Sequence, residues 1–108
     1  MFIYVAGPYT KGDVAQNVHK AIEVGNNLRA LGHTPFIPHL THLWHLQIPH
    51  ADVNYWYAYD IEWLLKCDAV FRIEGESNGA DTEVETAIIN GMPVFTSYLD
   101  VPKAERCG

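Results

Sequence analysis

Residues 2–8 read Phe2-Ile3-Tyr4-Val5-Ala6-Gly7-Pro8, five apolar residues that stop at a Gly-Pro step. With no polar position to mark a solvent face, such a run predicts a short strand covered on both sides, and strands of that kind belong to parallel sheets. Immediately downstream the period changes. From 14 to 31, Val14, Val18, Ala21, Ile22, Gly25 and Leu28 recur at three and four, which predicts an amphipathic helix. Asp13 is placed to cap its start and Gly32 to stop it. Thr34 to Pro38 reads as a second strand, and a His- and Trp-rich stretch follows.

Helical spacing returns over 53–67, a third strand runs from Ala69 to Ile73, and a Gly/Ser/Asn turn occupies 75–79. A helix over 80–90, stopped by Gly91, leads into a fourth strand at Pro93–Thr96. The order β-α-β-α-β-α-β predicts an α/β fold: one domain over 1–108 with an open, flavodoxin-like or Rossmann-like parallel sheet of four to five strands and helices on both faces. For the weakly patterned last dozen residues, a fifth edge strand, an arm onto a partner subunit and a frayed tail are equally open. In sheets of this kind ligands sit at the carboxyl ends of the strands, where strand order reverses. If the first strand is central, the loops at 7–13 and 74–80 flank that crevice.

At 108 residues, with 48% apolar and 19% charged residues, the chain has the apolar content to build a core. Its net charge is −6 and its pI is near 5.3. A grip on nucleic-acid polymer needs a basic stripe, and the sequence has none. The two cysteines, Cys67 and Cys107, form no disulfide framework. The apolar run begins at Phe2, which leaves no room for a basic leader, and nothing approaches the ~20 apolar residues of a membrane span. A reduced, cytoplasmic protein that binds no membrane is expected.

Two acids are the candidates for chemistry. At about 100° per residue, Trp56, Trp63, Leu64 and Cys67 share one side of the 53–67 helix and Asp60 lies in the middle of it, while Glu62 and Lys66 mark the opposite, solvent side. An acid at the centre of a core-facing stripe is costly unless partnered. It is either a structural cap for a neighbouring loop or a carboxylate facing the crevice. Glu83 sits on the rim of an arc formed by Val84, Ala87, Ile88 and Gly91, in the first turn of the 80–90 helix, where the dipole favours a charged carboxylate. It reads as an ordinary first-turn glutamate or as an acid kept ionised beside a pocket, as a nucleophile must be.

Ser77-Asn78-Gly79 precedes that helix, and its hydroxyl and amides suit a phosphate, although ligand-free polar turns are equally common. Gly7, Pro8 and Tyr9 end the first strand at the crevice; Tyr9 offers a ring for stacking, and Tyr4 reaches the same place or simply packs in the core. Lys11 follows in the same loop. The segment is neither GxxxxGK[ST] nor GxGxxG, so ATPase and dinucleotide readings lose their motif. His39, His42 and His45, with His33 and His50 nearby, are spaced by threes that spread them over about 120° of a helix, and they lack accompanying Cys or carboxylate ligands. A lid over the pocket, with His39 and Trp56 against the substrate, is expected; a metal site is not.

Three blocks carry a family resemblance: Ile3-Tyr4-Val5-Ala6-Gly7-Pro8; Asp60-Ile61-Glu62-Trp63-Leu64 with Cys67-Asp68-Ala69-Val70; and Ser77-x-Gly79-x-x-x-Glu83-x-x-x-Ala87-x-x-x-Gly91-x-Pro93-Val94. In order and spacing the chain resembles the nucleoside 2-deoxyribosyltransferase superfamily, which includes the 2'-deoxynucleoside 5'-monophosphate N-glycosidases. The resemblance implies cleavage or exchange of an N-glycosidic bond without a cofactor. It gives Glu83 the place of the nucleophile that attacks C1', Asp60 that of the assisting carboxylate, and Tyr4 that of the tyrosine orienting the glutamate. Ser77 falls where the monophosphate hydrolases place a phosphate-contacting serine, so a monophosphate is favoured over a free nucleoside, and hydrolysis slightly over base transfer. Lys11 stands in only approximately for the basic residue of the hydrolases' first loop. A domain this small, with a pocket open at one sheet edge, is expected to form a homo-oligomer, dimer or higher. The His/Trp-rich 39–56 segment departs from the family's usual filling. The competing reading is a non-catalytic nucleotide-binding or sensing module on the same scaffold.

Overall fold

The computed structural model describes residues 1–48 and 53–104. Four strands, β1 (Phe2–Ala6), β2 (Thr34–Phe36), β3 (Ala69–Arg72) and β4 (Val94–Phe95), form one parallel sheet in the order β2-β1-β3-β4. β1 is central because its residues are apolar on both faces: Ile3 to Ala6 are fully buried, with Ile3 opposite both Pro35 and Ala69 and Tyr4 opposite Phe36 and Val70. Alternation along β1 divides the molecule into two layers. Ile3 and Val5 pack with Ala69 and Phe71 against helix α1 (Val14–Ala30); Tyr4 and Ala6 pack with Val70 against helices α3 (Val53–Leu64) and α4 (Asn78–Ile89). The sheet and its helices on both faces are as the strand and helix patterns predict.

Helix α1 starts where Asp13 accepts a hydrogen bond from the Gln16 amide at 3.1 Å, and the chain turns away at Gly32, which has φ +94°. Its buried stripe is Ala21, Val24, Gly25 and Leu28. Ile22, expected on that stripe, is 44% exposed, because it lies about 100° round from Ala21 and falls outside the arc that meets the sheet. β2 ends at Phe36 rather than Pro38. Pro38, with its fixed φ and no N–H, instead opens a 3-10 turn (Pro38–Leu40) leading into helix α2 (Thr41–Gln47).

Helix α3 ends at Leu64, so Cys67 lies beyond it, in a tighter turn where the Lys66 and Cys67 amides reach back three residues to Trp63 and Leu64. Asp68 then brackets the start of β1: its amide donates to the Phe2 carbonyl (2.7 Å) and its carboxylate accepts from the Phe2 amide (2.8 Å). Trp63, expected on the core side of α3, is 44% exposed and stacks on Phe36 at the rim of the β2 edge. The last helix begins two residues before the expected position 80, because Ser77 caps it by accepting from the Ala80 amide at 3.1 Å. Ile88, at the far edge of the predicted arc, is 63% exposed.

The described tail forms no fifth strand. Residues 98–100 make a 3-10 turn, Val101 enters the α1 layer, and the Ala104 amide donates to the Leu31 carbonyl at 2.9 Å. His33, one of the candidate metal ligands, is buried beside it: Nε2 donates to the Pro102 carbonyl (2.5 Å), and the amino terminus donates to Nδ1 (3.0 Å). Among the described residues no helix is long and apolar enough to cross a membrane. Leu28, fully buried between α1 and the sheet, tests the first layer. Leu28→Ala is expected to lower unfolding free energy by about 2–5 kcal/mol in urea denaturation, with an unchanged m-value.

Candidate active site

Strand order reverses between β1 and β3, so the chain leaves β1 toward α1 on one face and leaves β3 toward α4 on the other. Their two loops part over the carboxyl ends of the strands. A cavity of about 670 Å³ opens there, lined by Gly7, Tyr9 and Lys11 from the first loop, His39 from the 3-10 turn, Trp56 and Asp60 from α3, and Ser77, Gly79 and Glu83 from α4. The first strand must come very close to the third to make this floor. A Cβ on Gly7 would stand 2.9 Å from the Cβ of Ile73, which explains why no side chain is present.

Glu83 lies above the end of β1, where the Tyr4 hydroxyl donates to its Oε2. Tyr4 has no exposure and stacks on Phe36, so its phenol is fixed in place. Burial and the nearby charges of Glu83 and Asp60 hold that phenol in its protonated form, which is the form that donates. Because α4 begins at Asn78, Glu83 sits in its second turn and not in the first, and the dipole reaches it weakly. Burial instead dominates and pushes its carboxyl up to about 7, with Asp60 adding to the rise and the Tyr4 hydrogen bond and Arg72 opposing it. The expected ionised acid is thus a carboxyl near its balance point at neutral pH.

Asp60 reaches the same cavity from α3, and burial pushes it too up to about 7. Its Oδ1 is buried and has no hydrogen-bond partner among the described residues, unlike a cap for a neighbouring loop. His39 is buried, and its Nε2 donates to the Pro8 carbonyl at 3.0 Å. That bond leaves Nδ1 as an acceptor, and burial lowers the ring's affinity for a second proton. Pro8 therefore does not line the cavity but anchors His39. Tyr9 meets His39 edge to face, and Trp56 meets Trp44 and Tyr59 the same way, giving the mouth an aromatic wall. Ser77 both lines the cavity and caps α4.

Three contributors carried no sequence signal strong enough to single them out. Asn17 donates through Nδ2 to the carbonyls of Tyr9 (2.9 Å) and Lys11 (2.7 Å), shaping the first loop; its position four residues after the Asp13 cap was the available clue. Tyr57 adds a second α3 ring to the wall. Arg72 lies beneath the second loop. Lys11 pairs with Glu76 at 3.4 Å across the mouth, both well exposed. Of the other histidines, the side chains of His42 and His45, and all of His50, lie outside the described residues, as does Cys107. Among the described residues no three His, Cys, Asp or Glu side chains gather to hold a metal.

A 2-deoxyribosyltransferase from the psychrotolerant bacterium Bacillus psychrosaccharolyticus, described as a biocatalyst for synthesis of antiviral and antitumoral nucleosides, is similar to this chain in structure. The two are 29% identical with a TM-score of 0.61, over 87% of this chain and 69% of that one. The fold is thus nucleoside 2-deoxyribosyltransferase-like, as the sequence blocks imply. The chain belongs to the family described as a domain of unknown function (DUF7768), whose model matches residues 1–97. No curated protein matches it.

Two buried acids with raised pKa values set how stability varies with pH. The ordinary glutamate value is 4.5 and the folded value about 7, so between them the unfolded chain gives up its proton first and stability falls as pH rises; above that window the loss is constant. Asp60 acts with the same sign. Glu83→Gln, which keeps an acceptor for Tyr4, should stabilise the fold at pH 8 by about 1–3 kcal/mol, several degrees in Tm, and change little near pH 4. Thermal melts at the two pH values check this.

Proposed function

We propose that the protein breaks the N-glycosidic bond of a 2'-deoxynucleoside or its 5'-monophosphate and passes the sugar to water or to a second base. The observation that carries this reading is the convergence of Glu83, held by the Tyr4 hydroxyl, and Asp60 on one cavity. The likeness to a 2-deoxyribosyltransferase supports it independently.

In this reading a Glu83 oxygen attacks C1', the bond to the base breaks, and a glycosyl ester forms; water or an incoming base then attacks C1' and frees the carboxylate. Tyr4 binds one carboxylate oxygen and so turns the other toward the sugar. Asp60, protonated, gives its proton to the leaving base and takes one back from the attacking water or base. Trp56 and Tyr9 supply flat surfaces for the base. The monophosphate is favoured because Ser77 and the first-turn amides of α4 line the same cavity, with Lys11 at its mouth. Hydrolysis is slightly favoured over transfer on the resemblance of Ser77 to the hydrolases' serine.

Chromatography of the protein incubated with a panel of nucleosides and monophosphates, with and without an acceptor base, tests the proposal. Free base in both conditions means hydrolysis; a new nucleoside only with acceptor means transfer. Nucleotide binding with no free base after long incubation would instead make the protein a non-catalytic binding module. Glu83→Ala is expected to lower base release by about three orders of magnitude or more with the fold intact. Tyr4→Phe, losing one charge-assisted hydrogen bond, should lower it about 10- to 100-fold. Because one acid must be ionised and the other protonated, kcat/KM should peak near pH 7 and fall on both sides.

A further inference from the structure

Arg72 is the last residue of β3, and its side chain is only 14% exposed. It lies opposite Ala6 in the sheet, two positions beyond the Tyr4–Val70 pair, and so on the face that carries Tyr4. A cation at the end of a buried parallel strand is expensive to desolvate and calls for compensation. The guanidinium donates to the Ile73 carbonyl, to the Gly75 carbonyl (2.9 Å) and to Asp81 Oδ1 (3.0 Å). Two of these partners are backbone carbonyls of the β3–α4 loop, and the third lies in the first turn of α4, two residues before Glu83. The loop is tightly drawn: Gly75 has φ +122°, and a Cβ there would meet Pro8 at 2.8 Å. Arg72 thus ties the end of the sheet to the start of the helix that bears Glu83.

The charges around Glu83 are unbalanced. Tyr4 approaches it from β1 and Asp60 from α3; Asp81 and the exposed Glu85 lie on its own helix, and Lys11 at the mouth is paired with Glu76. His39, across the cavity, is kept neutral by burial. Arg72, half-buried and paired with Asp81, is the cation of this set whose charge opposes proton uptake by Glu83.

We infer that Arg72 is a positioning residue for Glu83: it holds the first turn of α4 against β3 and sets a positive charge beside the helix start that carries the carboxylate. This rests on Glu83 being the nucleophile proposed above. Arg72→Met removes the charge and the fork, and Arg72→Lys keeps the charge alone. A carboxyl-carbon NMR titration of Glu83 in wild type and both variants reads the effect without any substrate.

The Met variant should raise the Glu83 midpoint by roughly half a pH unit, less than the ~1–3 units of a charge in direct contact, and Lys should restore it. The acid limb of kcat/KM should move with it, lowering base release about threefold at pH 6. If Arg72→Met does not fold, Arg72→Gln, which keeps donors without charge, carries the same measurement. An unchanged Glu83 midpoint, or a rate loss with an unmoved acid limb, would overturn the inference and leave Arg72 a structural clamp. A midpoint moved in the Met variant, together with a wild-type protein that releases no base, would uphold the Arg72–Glu83 coupling and sink the nucleoside reading instead.

Discussion

Two carboxylic acids face one cavity, and among the described residues neither forms an ion pair with a cation. The rest of the site follows from that constraint. Burial drives each acid toward its protonated form, and the charge of Asp60 makes ionisation of Glu83 harder still. Two such groups titrate as a pair near neutrality and are suited to opposite roles, one giving a proton while the other shares an electron pair. The hydrogen bond that Glu83 accepts from Tyr4 originates at a fully buried position of the central strand. A group that must be oriented is held from the least mobile position available.

Side-chain bonds to backbone carbonyls hold both loops around the cavity. Asn17 holds the first loop by two carbonyls, Arg72 holds the second by two more, and Lys11 with Glu76 spans the gap between them. The exposed ion pair contributes little to stability in water, whereas the hydrogen bonds to loop carbonyls fix the backbone. His39 is held from behind by Pro8, so that its orientation depends on the same loop that frames the cavity. The aromatic residues of α2 and α3 contact one another edge to face and supply area at low entropic cost.

Where the sequence was read well, the reason is local. Phe2-Ile3-Tyr4-Val5-Ala6 has no polar face, which left a central parallel strand as its natural place, and the helix stops at Gly32 and Gly91 adopt the positive φ that glycine tolerates. Asp60 stood out because an acid in the middle of an apolar stripe is improbable without a reason. Ile22, Trp63 and Ile88 are exposed although their spacing points toward the core, because the spacing of apolar residues marks an arc but not how wide the contact with the sheet is. Arg72 and Asn17 went unread because their partners are backbone carbonyls of loops, which leave no trace in side-chain periodicity.

The sequence by itself marked the four strands, three of the helices and their place on both faces of the sheet, and it singled out two acids as candidates, since each depends on neighbours within a turn or a pleat. Only the tertiary structure decided that the acids share a cavity, that burial outweighs the helix dipole at Glu83, and that Arg72 lies beneath the loop. Those are distances between segments far apart in the chain, and electrostatic energies depend on such distances and on how much water is displaced.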